Sequence, residues 1–167
     1  MQPGEALGIA AQVAITLAGF AGIVVVFRPD SVHQWSRIDR FRLRLLLANS
    51  ALPLGYSLFA MLLMTAGLSD PVTWRWCSGV TLICQFGFML STSKMGRSIS
   101  AEATKSVNRL LYFSMATLGS VAMVLQLVNV FRLATFWPFF AAIFVHLIAA
   151  IAQFLRLVLL PPHSANG

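Results

Sequence analysis

Residues 136–160 read FWPFFAAIFVHLIAAIAQFLRLVLL, and the one charged side chain among them, Arg156, lies near the end of the stretch. A helix needs about 20 mostly apolar residues to cross the hydrocarbon core of a bilayer. An arginine near a helix end can extend its guanidinium to the interface. The stretch therefore predicts a transmembrane helix. Four other stretches have a similar length and no charge in their interiors: 8–27, 43–68, 74–92 and 110–131.

The composition of the whole chain agrees with a lipid environment. Hydrophobic residues make up 58% of the 167 residues and charged residues 10%, whereas soluble domains carry about 25% charged residues. We predict a single all-α integral membrane domain, a bundle of five transmembrane helices. Two longer connections, 28–42 and 93–109, and a disordered tail, 161–167, complete the predicted domain.

The basic residues predict the orientation of this bundle. Of the 12 Lys and Arg residues, ten lie on one side, within 28–44 and 94–109 or at Arg156, and the other side has Arg75 and Arg132. Because Lys and Arg concentrate in cytoplasmic loops, we predict the N-terminus outside and the C-terminus in the cytoplasm, in a bacterial inner membrane. The same distribution explains the net charge of +7 without nucleic acid, since no basic patch is interleaved with stacking aromatic residues.

The connection 28–42 has apolar residues at every third position after Ser31, and Arg37, Arg40 and Arg44 lie elsewhere on the same helical surface. This pattern fits a short helix on the membrane face, with its arginines in contact with anionic lipid headgroups. A cytoplasmic extension of the second span fits equally well. The sequence leaves both interpretations open.

The first span contains small residues at intervals of four: Ala10, Ala14, Ala18 and Gly22. Small residues at this spacing let two helix backbones approach closely, which favours helix packing in lipid. We predict that this row forms a helix–helix seam. Its partner is either another span or a second copy of the protein.

The fifth span carries a stripe at alternating steps of four and three residues: Ala142, His146, Ala149, Gln153 and Arg156. This spacing puts the stripe on one helical face, while the opposite side consists of Ile, Leu, Val and Phe. Polar groups that face hydrocarbon remain without hydrogen bonds. The stripe is therefore predicted to face protein or a water-filled cavity.

Polar residues of the other spans reach similar depths at about 1.5 Å per residue. Gln12 and Gln126 reach the level of His146, Thr81 and Gln85 lie on either side of the bilayer centre, and Asn49 lies deeper on the cytoplasmic side, near Gln153. Together with His146, Gln153 and Arg156 they form a candidate intramembrane polar site. A purely structural interpretation treats the amides and hydroxyls as interhelical hydrogen bonds, worth about 0.6 kcal/mol each. His146 is ionisable and intramembrane, which by itself points to function.

The spans lack the residues for several kinds of chemistry. They contain no Asp or Glu, which disfavours ion-coupled cation transport, and neither Lys94 nor Lys105 lies inside a span to bind retinal. Cys77 and Cys84 are about 10 Å apart along a helix, too far for a disulfide, and have no metal-ligand spacing around them. No pattern marks an activated nucleophile for His146. We predict no enzyme activity, no cofactor and no metal.

Three hypotheses of function follow. The preferred one is an oligomeric or accessory subunit that acts through helix–helix contacts with itself or with a membrane partner protein. The second is a minimal channel or carrier for a neutral or anionic solute, lined by the polar stripe. The third is a b-type haem protein that uses His146 with a Met or with His146 of a second copy.

Overall fold

A computed structural model describes the backbone of residues 1–27, 31–103 and 109–159, with side chains for 1–27, 31–94 and 113–159. Within these residues the fold is all-α, as predicted. The helices are α1 Pro3–Phe27, α2 Arg37–Thr65, α3 Asp70–Ala103, α4 Arg109–Val128 and α5 Phe136–Leu159. A 3-10 turn, Val32–Gln34, precedes α2, and a π-helical turn, Asn129–Leu133, follows α4.

Four helical segments of the described chain are long and apolar enough to cross a membrane: Pro3–Phe27, Arg37–Thr65, Phe113–Leu133 and Phe136–Leu159.

 With these four segments in its described part, the chain is a helical membrane protein. α3, which contains the predicted third span, is not in this group because Ser, Thr, Gly and Gln85 interrupt its apolar part. A fifth span and the orientation of the bundle remain predictions, and the predicted tail lies outside the described residues.

The helix boundaries differ from the predicted ones at the ends that carry arginine. α2 begins at Arg37 rather than at residue 43, and the Ser36 hydroxyl caps it by accepting a hydrogen bond from the Asp39 N–H (3.1 Å), as Ser commonly does at this position. The structure thus has the extension of the second span, and the segment after Ser31 forms only a 3-10 turn. In the same way α3 continues to Ala103, so much of the predicted connection 93–109 is helical.

α5 is the central helix of the bundle, since it packs against α1, α2, α3 and α4. Its inner face includes Phe139, Ile143 and Leu157, all of which are buried. Phe144 and Leu155 lie on its outer face and are exposed. This division agrees with the apolar outer side that the sequence predicts for the fifth span, because exposed apolar side chains of a membrane helix contact lipid.

The small-residue seam of α1 is only partly where the sequence predicts it. Ala10 and Ala14 are buried, whereas Ala18 is partly buried and Gly22 is exposed, so only the first half of the row packs inside the chain, and a contact of Gly22 with a second copy stays a prediction. Steps of four residues drift by about 40° each around a helix with 3.6 residues per turn. The buried face therefore continues through Leu17 instead. The partners of α1 are other helices of the same chain, α2 and α5.

Candidate intramembrane polar site

His146 lies at the junction of three helices and is 4% exposed. Its Nδ1 is 2.8 Å from Oδ1 of Asn49, which joins α5 to α2. The imidazole also packs near two aromatic rings, with centroid distances of 5.9 Å to Tyr56 on α2 and 5.9 Å to Phe88 on α3. The predicted stripe of α5 thus faces protein at this position.

The Asn49 amide determines which ring nitrogen of a neutral His146 carries the proton. Nδ2 of Asn49 donates a hydrogen bond to the Leu45 carbonyl (2.8 Å), so Oδ1 is the amide atom that faces the imidazole. An amide oxygen only accepts hydrogen bonds. Nδ1 of His146 is therefore the protonated nitrogen, and Nε2 presents a lone pair to the interior of the bundle.

Several buried polar atoms of the bundle are open, a term used for atoms without a hydrogen bond to any of the described residues. Buried polar atoms are normally hydrogen-bonded, so a group of open atoms is unusual for a core that is only structural. The open atoms are Nη2 of Arg42, the hydroxyls of Tyr56, Ser57 and Thr81, Oε1 of Gln85, Gln126 and Gln153, and Nε2 of His146.

Two of the predicted site residues lie on α3 and are buried, Thr81 and Gln85. Gln85 and Phe88 are three residues apart and so lie on neighbouring positions of one helical face. Nε2 of Gln85 donates to the Gly119 carbonyl of α4 (3.3 Å), which leaves Oε1 as its open atom. Asn49, which the sequence predicts near the level of Gln153, instead meets His146.

Two further predicted residues lie along α5 on the C-terminal side of His146. Gln153 is buried and is about 10 Å from His146 along the helix axis. Arg156 is partly buried, one turn beyond Gln153. The polar stripe therefore extends from the helix junction toward the arginine-rich end of the bundle.

Two predicted members do not join His146. Gln126 is buried, but its Nε2 donates to the Pro138 carbonyl (2.6 Å) near the start of α5 and joins α4 to that helix instead. Gln12 is exposed on the outside of α1. Equal depth in the membrane was the basis for including both residues, and depth alone does not determine which way a side chain points around its helix.

Sequence reasoning missed the polar cluster at the turn between α4 and α5. Asn129 is fully buried, and its amide donates to Oγ of Ser78 (2.7 Å) and to the Thr135 carbonyl (2.9 Å) while accepting from the Thr135 N–H (3.0 Å). Its own carbonyl accepts from Ala134, which has a left-handed backbone conformation with φ 50°. The available signal was an asparagine shortly before a tight connection, a residue type that bonds readily to nearby backbone.

The arginine-rich end also contains a buried ion pair. Nη1 of Arg42 is 3.3 Å from Oδ1 of Asp39, and both side chains are buried. Arg37, Arg40 and Arg44 are exposed on the same turns of α2. Exposed arginines at a helix end can contact anionic headgroups, which is the role that the sequence predicts for these three.

No protein family, curated protein or solved structure matches this chain.

Proposed function

We propose that this protein crosses a bacterial inner membrane five times, and that α3 is a membrane span in addition to the four apolar segments named above. α3 contacts the helices beside it at successive levels: Ser78 bonds to Asn129, Gln85 bonds to Gly119, and the Phe88 ring packs on His146. Ser78 and Phe88 are about 15 Å apart along α3. A helix that contacts spanning helices over this length lies at the same depth in the bilayer as they do.

The proposed orientation has the N-terminus outside and the C-terminus in the cytoplasm. Arg37 and Arg40 are exposed at one end of the bundle, and this end would lie in the cytoplasm because arginine concentrates there. At the other end of the bundle, Trp76 lies near the start of α3 and Trp137 near the start of α5, and their side chains are 61% and 57% exposed. Tryptophan is enriched at membrane–water interfaces, which supports an outer interface at this end.

The function that the geometry supports best is that of an oligomeric membrane subunit, which assembles through the outer face of α1. The observation that carries this proposal is Gln12. Its side chain is exposed on α1, about 5 Å from the middle of the helix. An amide in hydrocarbon without hydrogen bonds is costly, and a second protein helix would supply those bonds.

The surroundings of Gln12 favour a second copy of the same chain. Gly8 and Gly19 lie close to it in sequence with open space around them, so another helix can approach the backbone. The Thr16 hydroxyl is occupied by a hydrogen bond to the Gln12 carbonyl (2.7 Å). A carboxamide both donates and accepts, so two copies of Gln12 facing each other across a twofold axis can satisfy one another.

Lipid dilution tests this proposal. Donor- and acceptor-labelled protein in vesicles is measured by energy transfer as the lipid-to-protein ratio rises. Gln12→Leu should weaken self-association about eightfold, as expected for two amide hydrogen bonds of about 0.6 kcal/mol each. Ser120→Leu is the matched control because Ser120 is exposed on α4 and bonds to its own helix. A monomeric wild type, or equal association of the two variants, would refute the proposal.

A second candidate function is a path for a neutral or anionic solute. The observation that favours it is the set of open atoms on Thr81, Gln85, His146 and Gln153, which lie at successive levels of α3 and α5. Changing both His146 and Gln153 to leucine should abolish solute flux into reconstituted vesicles while the protein still folds. If this change alters only stability or self-association, the residues are structural; Gln12→Leu is the control for an effect of association on flux.

A further inference from the structure

The open atoms of α3 and α5 include two whose hydrogen-bonding role is already determined. Nε2 of His146 is an acceptor because the Asn49 oxygen holds the proton on Nδ1. Oε1 of Gln85 is an acceptor by its chemistry, and the amide nitrogen of the same group is occupied by the Gly119 carbonyl. Both acceptors are on buried side chains. A partner for them must donate hydrogen bonds.

Three hydroxyl groups of α2 and α3 are also without a partner among the described residues. Those of Tyr56, Ser57 and Thr81 are buried and open. The Tyr56 ring packs against the His146 imidazole, and Ser57 is its neighbour in sequence on the buried face of α2. A hydroxyl both donates and accepts, so these groups can bind a molecule that has donors as well as acceptors.

The charge of the surroundings restricts what such a molecule can be. In the sequence all five acidic residues lie outside the predicted spans: Glu5, Asp30, Asp39, Asp70 and Glu102. A cation beside His146 would therefore lack a carboxylate to offset the loss of its hydration. An anion would meet the lone pairs of Nε2 and Oε1, which repel negative charge.

From this geometry we infer that the junction of α2, α3 and α5 is a binding site for a small neutral molecule that donates hydrogen bonds, such as a polyol or an amide. His146 and Gln85 accept from it, and the Tyr56, Ser57 and Thr81 hydroxyls complete the site. The aromatic rings of Tyr56 and Phe88 lie 5.9 Å from the imidazole centroid, which restricts the site to small molecules. This inference does not depend on the proposed self-association.

Nitrogen NMR of His146 tests the inference directly. The full chain is labelled with nitrogen-15 histidine in lipid nanodiscs, with His33 and His163 replaced by glutamine so that one imidazole is observed. Nε2 should resonate as an unprotonated nitrogen. Glycerol or urea should move this resonance saturably, and sodium chloride at the same concentration should not.

Variants show whether the hydroxyls take part. Tyr56→Phe keeps the ring and removes one hydroxyl, so glycerol should bind about fivefold more weakly, the equivalent of about one hydrogen bond. Thr81→Val is a second variant of matched shape, with the same expected direction. Ser120→Ala is the control because Ser120 is exposed on α4 and bonds to its own helix, and this variant should bind glycerol like the wild type.

Three results would overturn the inference. One is a protonated Nε2 in the wild-type protein. Another is a resonance that neither glycerol nor urea moves. The last is a response to chloride that equals the response to glycerol, which would indicate an anion site.

Discussion

The bundle contains two buried polar clusters that use similar residue types in different ways. At the turn between α4 and α5, the Asn129 amide donates to Ser78 and Thr135 and accepts from Thr135, and no atom of Asn129 or Ser78 is open. At the junction of α2, α3 and α5, Asn49 satisfies one nitrogen of His146 and the other is open. One asparagine completes its cluster, and the other orients a ring whose second nitrogen has no partner in the described chain.

This difference separates a structural cluster from a site suited to binding. A fully hydrogen-bonded group has no capacity for a ligand, and its bonds stabilise the turn that it holds. An oriented imidazole with an open lone pair has the arrangement that binding sites use, in which one hydrogen bond sets the ring and the other nitrogen meets the ligand. Polarity and burial alone would not have distinguished the two clusters.

The largest effect on stability is expected from Asn129→Leu. The substitution removes three side-chain hydrogen bonds from a fully buried position, for a loss of about 2 kcal/mol at about 0.6 kcal/mol per bond. Unfolding in mixed micelles by increasing amounts of sodium dodecyl sulfate measures this loss. Ser120→Ala, which removes an exposed hydroxyl bonded to its own helix, is the control. A loss no greater than that of Ser120→Ala would show that the turn does not depend on Asn129.

A smaller effect is expected at the His146 junction. A double-mutant cycle of Asn49→Leu and His146→Leu should give a coupling free energy of about 0.6 kcal/mol, because the two side chains share one hydrogen bond. The same unfolding titration provides the four free energies. A coupling as large as the loss in Asn129→Leu would mean that the junction is as structural as the turn, which would remove the contrast between the two clusters.

The smallest effect is expected from Ala134→Gly, and it is stabilising. Ala134 has φ 50°, and a left-handed conformation costs a residue with a side chain about 1–2 kcal/mol. Glycine relieves this cost. It also raises the conformational entropy of the unfolded chain, which lowers the free energy of unfolding by up to about 1 kcal/mol. A net gain of about 0.5 kcal/mol should appear in the same titration. A destabilised Ala134→Gly would mean that the Asn129 turn requires the alanine side chain.

Helical periodicity explains why the inner face of α5 could be predicted. The stripe of Ala142, His146 and Gln153 is buried, and the neighbouring Phe144 and Leu155 are exposed, because in lipid a helix must turn its polar residues toward protein. The faces of α1 are less marked in the sequence. Its polar residues are few, and Gln12 lies on the outside while Ala10 and Ala14 of the seam are buried.

The helix ends were less predictable than the helix faces. Hydropathy ends where charge begins, but the backbone of α2 continues through the arginines to Arg37 because the Ser36 cap and the partly buried turn support it. The role of Asn129 also escaped prediction. Its partners Ser78 and Thr135 lie 51 and 6 residues away, and only the packing of α3 against the turn brings Ser78 within reach.

The amino-acid sequence by itself determined that the chain is a helical membrane protein and which face of its central helix is buried. Long uncharged runs can satisfy their backbone groups in hydrocarbon only as helices, so these conclusions need no knowledge of partners. Only the tertiary structure decided which polar residues meet: Asn49 and His146 do, whereas Gln12 and Gln126 lie elsewhere. Hydrogen bonds depend on distances and directions set by helix packing, and spacing within one helix does not contain that information.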